Sequence, residues 1–326
     1  MPQPTGGDIH VNVPLTNLSV AYMQSLDEFI ADKVFPGIPV EHKSNLYYKY
    51  DKGMWFRANS AERAPSTESA GTGWTVSTDN YTCRVYAVHK DISDIDRANQ
   101  DTPEIDLDRD ATQLVTRDLL LRKELSWAAN YFTTGIWTNT DQTGVASAPG
   151  ANQFLQWSET AATPIEDIYN QKLAITGITG YKPNKLVLGP YVYDALKNHP
   201  EFTDRIKYTQ RGILTPDLIA AILDLDEVLV PMVVQNTAVE GATDALSFVY
   251  GKSALLLYAA PGAGLLQPSA GYTFNWTGYI GASQMGTRMK RFRMENIASD
   301  RVEGELAFDQ ALVGGDLAVF FATAVA

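Results

Sequence analysis

The side chains that most often carry catalysis or bind metals are few in this sequence and poorly spaced for either task. Its four histidines are His10, His42, His89 and His199. No two of them stand at a spacing that puts both rings on one helix face or beside a pair of carboxylates, so a metal site has no nucleus. Each reads as a solvated or locally hydrogen-bonded ring. Cys83 is the single cysteine, which excludes an intrachain disulfide and a multi-cysteine metal site; it reads as a small buried hydrophobe in a reducing compartment. Gly262-Ala263-Gly264-Leu265-Leu266-Gln267 approaches a dinucleotide-binding loop, but it lacks the third glycine and runs into Pro268 and Ser269 instead of a helix, so a turn is expected. Ser283, within Gly281-Ala282-Ser283-Gln284-Met285-Gly286, is one residue out of register with a nucleophile elbow and has no strand-to-helix setting. Asp106, Asp108 and Asp110 gather where a helix begins, and compensation of the helix dipole accounts for them without an acid–base pair. No catalytic, metal-binding or cofactor-binding residue is expected. The rival enzyme reading predicts saturable turnover by monomers or small oligomers.

Charge and composition point away from other classes. With 326 residues, 45% of them hydrophobic, the chain can bury a substantial core. A formal charge of −12 makes most of its surface a poor partner for a polyanion. One stretch departs from this: Arg288, Lys290, Arg291 and Arg293 alternate with Met289, Phe292 and Met294, and Glu295, Asp300, Arg301, Glu303 and Glu305 follow. A strand pair with cross-strand ion pairs explains this stretch better than a nucleic-acid patch. The most apolar run, Ala254 to Leu266, is broken by Pro261, Gly262 and Gly264, short of the ~20 apolar residues a membrane helix requires. Met1 to Val13 has neither the basic start nor the apolar run of a secretory signal, so the cytoplasm is the expected compartment.

The elements that would have to position any functional group follow from periodicity and punctuation. Residues 1 to 20, rich in Pro, Gly, Thr and Asn, read as an extended arm that needs a partner surface, and Ser25 to Phe35 carries a short helical pattern stopped by Pro36 and Pro39. Leu46, Tyr48 and Tyr50 alternate with Tyr47, Lys49 and Asp51 as a strand expected to continue through Met54, Trp55, Phe56 and Arg57. Residues 58 to 73 are small and polar, a tip expected to be mobile in the free subunit. Tyr81, Cys83, Val85 and Ala87 then form a return strand.

From Thr102 and Pro103, apolar residues recur at Leu107, Ala111, Leu114, Leu121, Leu125, Ala128 and Phe132, which predicts a helix about twice the usual ~11 to 12 residues. Asp118 interrupts that stripe, with Arg122 placed one turn later to neutralise it. Gly144 to Asn152 reads as a linker. An α/β segment follows, with a capping box at Thr163-Pro164-Ile165-Glu166, strands at Lys185 to Leu188, Glu227 to Val234 and Ala254 to Ala259, and helices from Pro190 and from Thr215-Pro216. Beyond Gly271 the pattern is β throughout: Tyr272 to Thr277, Thr287 to Met294, Asp300 to Ala307 and Leu317 to Ala322.

The order of these elements resembles the major capsid proteins of tailed bacteriophages. The resemblance rests on the proline-punctuated Val34-Phe35-Pro36-Gly37-Ile38-Pro39-Val40, the aromatic Leu46-Tyr47-Tyr48-Lys49-Tyr50-Asp51 with Trp55-Phe56-Arg57, the polar tip, the Tyr-led return strand and Asp91-Ile92-Ser93-Asp94 before the long helix. It implies an α+β chain with the Hong Kong phage capsid fold, shared with encapsulins and herpesvirus shells. Residues 1–40 would be an N-terminal arm, 41–90 a two-stranded extended loop, 91–160 a peripheral domain with a spine helix, 161–262 an axial domain, and 263–326 a β return to the peripheral domain.

What the resemblance implies about function is self-assembly into hexamers and pentamers of an icosahedral shell around double-stranded DNA, without sequence-specific binding and without a membrane. The shell would be assembled in the host cytoplasm, with a portal, decoration proteins and a separate scaffold protein as partners. A Lys–Asn cross-link is not expected, since nothing singles out Lys43, Lys49 or Lys52. A two-stranded arm cannot shield large rings by itself, so Tyr48, Trp55 and Phe56, with Arg57 and Arg63, are the expected contacts between subunits. Packing of the same rings on their own spine helix around Leu114 and Leu121 is the competing arrangement. An encapsulin-like nanocompartment is the alternative function, and a tail or other structural module the next.

Overall fold

The computed structural model describes residues 28–50, 52–99, 106–206, 214–262, 267–280 and 287–326. The expected arm up to residue 27, the Pro103 helix start, Gly264 and Ser283 lie outside the described residues. In chain order the elements begin with helix α1 (Ala31–Val34), strands β1 (Gly37–Val40) and β2 (Ser44–Tyr50), helix α2 (Lys52–Trp55), strands β3 (Val76–Thr82) and β4 (Arg84–Ser93), and helices α3 (Asp94–Ala98) and α4 (Leu107–Tyr131). Strands β5 (Gln142–Val145) and β6 (Gln153–Leu155), helix α5 (Pro164–Thr179), strand β7 (Lys185–Leu188) and helices α6 (Pro190–Asn198), α7 (Pro200–Ile206) and α8 (Pro216–Leu223) follow. The chain continues with β8 (Glu227–Leu229), β9 (Val234–Asn236), β10 (Leu246–Phe248), β11 (Ala254–Leu257) and β12 (Gly271–Trp276). It closes with α9 (Thr277–Ile280), β13 (Thr287–Met294), β14 (Ser299–Leu312) and β15 (Ala318–Ala322).

Two sheets carry the architecture. In the first, β14 pairs antiparallel with β4 along one side, and with β13 and then β12 along the other. Strand β1 adds to β12 in parallel. As an edge strand β1 tolerates Pro39, which has no N–H to give a ladder. The second sheet runs β6-β5-β15-β11-β7-β8. Its central strands, Ala-Leu-Leu-Leu and Ala-Val-Phe-Phe-Ala, are buried at every position, as expected where both faces are covered. Leu186, Leu188, Leu256, Val319 and Phe321 face the core that includes Ile165, Ile168 and Ile175 of α5, Val192 of α6 and Ile219 of α8. Val187, Leu255, Leu257 and Phe320 face a second core with Trp127, Val34 and Phe35.

Helix α4 belongs to both halves. Near its start Ala111 packs with Ile92 and Val302, then Val115 and Leu119 pack with Leu306 and Phe308 of the first sheet. A Cβ on Gly304 would lie 2.4 Å from the Val115 side chain, so the helix can approach β14 this closely only over a glycine. Its last turns put Trp127 and Ala128 into the second core.

The buried residues of α4 are Ala111, Val115, Leu119, Leu120, Lys123, Glu124, Trp127 and Ala128. The stripe expected from Leu114, Leu121 and Leu125 is therefore rotated. The reason is physical: the helix buries two charged side chains, Lys123 and Glu124, and a reading that keeps charge on the surface turns the helix away from them. Glu124 accepts the backbone N–H of Ile30 (3.1 Å) and of Ala31 (2.9 Å), and the Tyr250 hydroxyl donates to it as well. These are orphan donors at the start of α1, so a side chain of α4 caps that short helix. Lys123 pairs with Asp32, at 2.5 Å, on the same turn.

Other expectations are corrected by the pairing. The return strand breaks at Cys83, so the two-stranded arm is β2 with β3, ending at Thr82, and β4 belongs to the first sheet. Lys52–Trp55 is a helical turn where a continuation of β2 is expected. The expected 144–152 linker starts inside β5 and leads into β6, two short strands paired in parallel, with β6 at the edge of the second sheet. Helix α5 starts at Pro164 as expected, yet Thr163 makes no side-chain cap. The N–H of Ile165 goes instead to Glu201 of α7, at 3.1 Å, a long-range partner that substitutes for the capping box. The final strand does not return with β12, β13 and β14: β15 lies between β5 and β11, where a five-residue apolar run is buried on both faces.

Burial pushes the Glu124 carboxyl above the usual carboxylate range, against the hydrogen bonds from Tyr250, Ala31 and Ile30. Replacing it with Ala strands three donors, and chemical denaturation is expected to show a loss of roughly 2 to 5 kcal/mol, with Glu124→Gln losing less. A carboxyl raised on folding contributes stability in acid that declines as pH rises through its folded pKa. The deficit of Glu124→Gln is therefore largest in acid and shrinks toward neutral pH; a deficit that grows with pH would contradict this account.

Candidate functional site

The arm is built from one packed face and one bare face. In the β2–β3 ladder Tyr47 stands opposite Asp79, and Asn45 opposite Tyr81. At the root, Tyr81 stacks on Phe274 and Tyr47 packs against it at a tilt, with centroids 4.5 and 5.5 Å apart. The Cys83 N–H donates to Lys43 O (2.8 Å), and the Thr82 N–H donates to Asp309 (2.8 Å). Asp79 accepts Lys49 at 2.6 Å and the Tyr47 hydroxyl at 3.3 Å. The Lys49 hydrogen bond holds the Asp79 carboxyl below its usual range. Alternation turns Leu46, Tyr48 and Val76 to the other face, where they are exposed.

On the bare face of the ladder and beyond it the rings stay outside. Tyr48 is 68%, Trp55 54% and Phe56 61% exposed. Trp55 stacks on Trp74, centroids 6.3 Å apart, a partner that sequence reading missed although Trp74 sits just past the polar tip. The edge of Phe56 lies over Gly180, the residue after α5, about 3.1 Å from where a Cβ would be, and Lys52 forms an ion pair with Asp316. Arg57 is exposed, and Arg63 donates to Thr67 O at 2.6 Å. Residues 58–73 have no helix or strand and are exposed throughout.

The structure thus brings Trp55, Phe56 and Arg57 together on one turn, with Tyr48 on the ladder behind them and Arg63 in the tip. The surface of α4 near Leu121 is a groove of about 340 Å³ lined by Tyr86, Val88, Asp118, Leu119, Leu121, Arg122 and Leu125. No arm residue lines it. Arg122 there lies over the Tyr86 ring, 5.3 Å from its centroid, instead of neutralising Asp118, whose carboxyl burial alone raises.

The basic stretch is a strand pair, as expected. Lys290 pairs with Glu305 (2.7 Å), Arg291 with Asp300 and Asp108 (both 3.2 Å), and Arg293 with Asp94 (2.5 Å). Arg288 donates to Tyr279 O at 3.3 Å. These partners take up the cationic groups that a polyanion would need. Asp106 caps α4 through the N–H groups of Asp108 and Arg109. His199 is buried between Glu159 O and the Glu201 N–H, a local role. Among the described residues no three His, Cys, Asp or Glu side chains gather as a metal site would require, and no described helix is long and apolar enough to cross a membrane.

A long helix laid on an open sheet, a two-stranded arm and a second sheet clothed on both faces together form a fold that matches solved phage structures. A phage-related protein of Bordetella bronchiseptica RB50 superposes with a TM-score of 0.68 at 23% identity, covering 96% of this chain and 97% of that one. The capsid structure of cyanophage P-SCSP1u superposes at 0.57 with 12% identity, covering 97% and 93%. In sequence, the chain is 26% identical over 317 residues to the major capsid protein of Burkholderia phage BcepMu, 94% of each chain being covered. No protein-family model matches.

Cys83 is fully buried beneath the arm, and burial pushes its thiol up to about 12. It is expected to stay unreactive toward a thiol reagent at pH 8 in the folded subunit and to react on denaturation. Fast labelling of the native protein would show that the arm root opens.

Proposed function

We propose that this chain is the major capsid protein of a tailed phage, a structural subunit that forms an icosahedral shell around double-stranded DNA and catalyses no reaction. The observation that carries this is the match to a phage major capsid protein along 94% of both chains, joined to the capsid fold. It favours a phage shell over an encapsulin-like compartment. In this reading the first sheet with α4 is the peripheral domain, the second sheet with α5 to α8 is the axial domain, and β2–β3 with its tip is the extended loop. Subunits gather as hexamers and pentamers, with a separate scaffold, a portal and decoration proteins as partners, in the host cytoplasm. The negative charge, −12, suits a container whose wall must not hold DNA tightly.

Tyr48, Trp55, Phe56, Arg57 and Arg63 are the contacts to a neighbour. Their support is exposure in the single subunit: large rings left more than half exposed bury the rest of their area when a partner arrives. Many such contacts, each about 1 to 2 kcal/mol after ordering costs, close a shell cooperatively.

Electron microscopy of the purified protein, with its scaffold and other head proteins supplied, is expected to show uniform polyhedral particles; a strictly monomeric protein under those conditions refutes the reading. Trp55→Ala is expected to reduce shell yield while the unassembled subunit unfolds almost as the parent does. A folding loss of ~3 to 5 kcal/mol would mark the ring as internal packing.

A further inference from the structure

The arm is tied down twice. Its root is packed on Phe274, but a two-stranded ribbon of seven residues per strand is not stiff enough to set where its far end points. The second tie lies past the ladder. Lys52 pairs with Asp316, and Asp316 stands on a firm post: its backbone O accepts Asn139 Nδ2 (2.7 Å), the neighbouring Gly315 O accepts the Thr138 N–H (3.0 Å), and buried Leu317 leads into β15. Four residues after Lys52, the Phe56 ring rests over Gly180. Gly180 caps α5 in the left-handed region, with φ of 73°, and a side chain there would crowd the ring. Two contacts on two different elements define a direction that neither defines alone.

Resting on the capsid reading above, we propose that Lys52 and Asp316 are positioning residues: with Phe56 seated over Gly180, their ion pair latches the arm to its own subunit and sets the direction in which it meets a neighbour. The pair is partly exposed, at 48% and 22% of the two side chains, so it adds little to folding. Its effect is on assembly, because an arm held in place has less motion to lose when it docks.

Charge reversal tests this. Cys83 is buried, so spin labels attach to cysteines introduced at two exposed positions on regular elements, Thr78→Cys on β3 of the arm and Leu173→Cys on α5. In the unassembled parent the distance distribution between them is expected to be narrow. Lys52→Asp is expected to broaden it and to lower shell yield at least about fivefold at ~0.1 M salt while thermal unfolding stays within about 2 °C. The exchange Lys52→Asp with Asp316→Lys, which keeps the net charge of the parent, restores both. A distribution unchanged by Lys52→Asp overturns the latch. A broadened one with normal assembly, or a yield that the exchange fails to restore, overturns its role in positioning. Absence of shells from the parent itself would instead count against the capsid reading, and the distance measurement would still report on the latch.

Discussion

A buried carboxylate holds the two halves of this molecule to one helix. Glu124 is almost wholly enclosed, and removing a charge from water costs several kcal/mol unless hydrogen bonds replace the solvent. Its replacements come from two distant places: the N–H groups that open α1 and the hydroxyl of Tyr250, near the second sheet. The adjacent Lys123 takes Asp32 of the same short helix. Neither acid nor base can be satisfied unless the segment entering at residue 30 lies against α4 and the second sheet stands behind it. The turn of α4 that carries these two charges joins the part of the helix resting on the first sheet to the part buried in the second core, so the register between the halves is set there.

The two sheets handle water in opposite ways. The second has no free face; alternate residues of β7, β11 and β15 feed separate cores, which is why β11 and β15 read as unbroken apolar runs. The first carries α4 on one face only. Its other face bears Lys290, Glu303 and Glu305, and Arg301 bonded in a fork to Asp91 at 2.7 and 2.8 Å, charges compensated across the strands. The arm follows neither pattern. Its root joins a small aromatic core, and its outer face and turn leave rings in solvent, a disposition that suits a subunit whose burial is completed by copies of itself.

Much of this was legible along the chain. Pro164, Pro190 and Pro216 mark three helix starts, because proline is suited to a first turn. Alternation at 287–294 located β13 to the residue, and the contrast between the aromatic stretch and the polar residues 58–73 located the arm. Helix α7 and strands β1, β9 and β10 were not legible. They are short, and β1 contains Pro39, which local reasoning takes as a break; only its edge position beside β12 permits it. At the candidate site, the exposed residue types were apparent, but the Trp55–Trp74 stack, the Gly180 seat and the Lys52–Asp316 pair join positions up to 264 residues apart and leave no local pattern.

The sequence alone determined the longer elements, among them α4, α5 and β13, and the order of parts that resembles phage capsid proteins, since periodicity, punctuation and charge act over a few residues at a time. Tertiary structure alone decided which face of α4 is buried, that β15 joins the second sheet, and that Glu201 instead of Thr163 serves the start of α5. Each of these depends on a partner far away in the chain. A buried charge or an unpaired N–H is satisfied by whichever group the fold brings within hydrogen-bonding distance, and that proximity is a property of the whole chain.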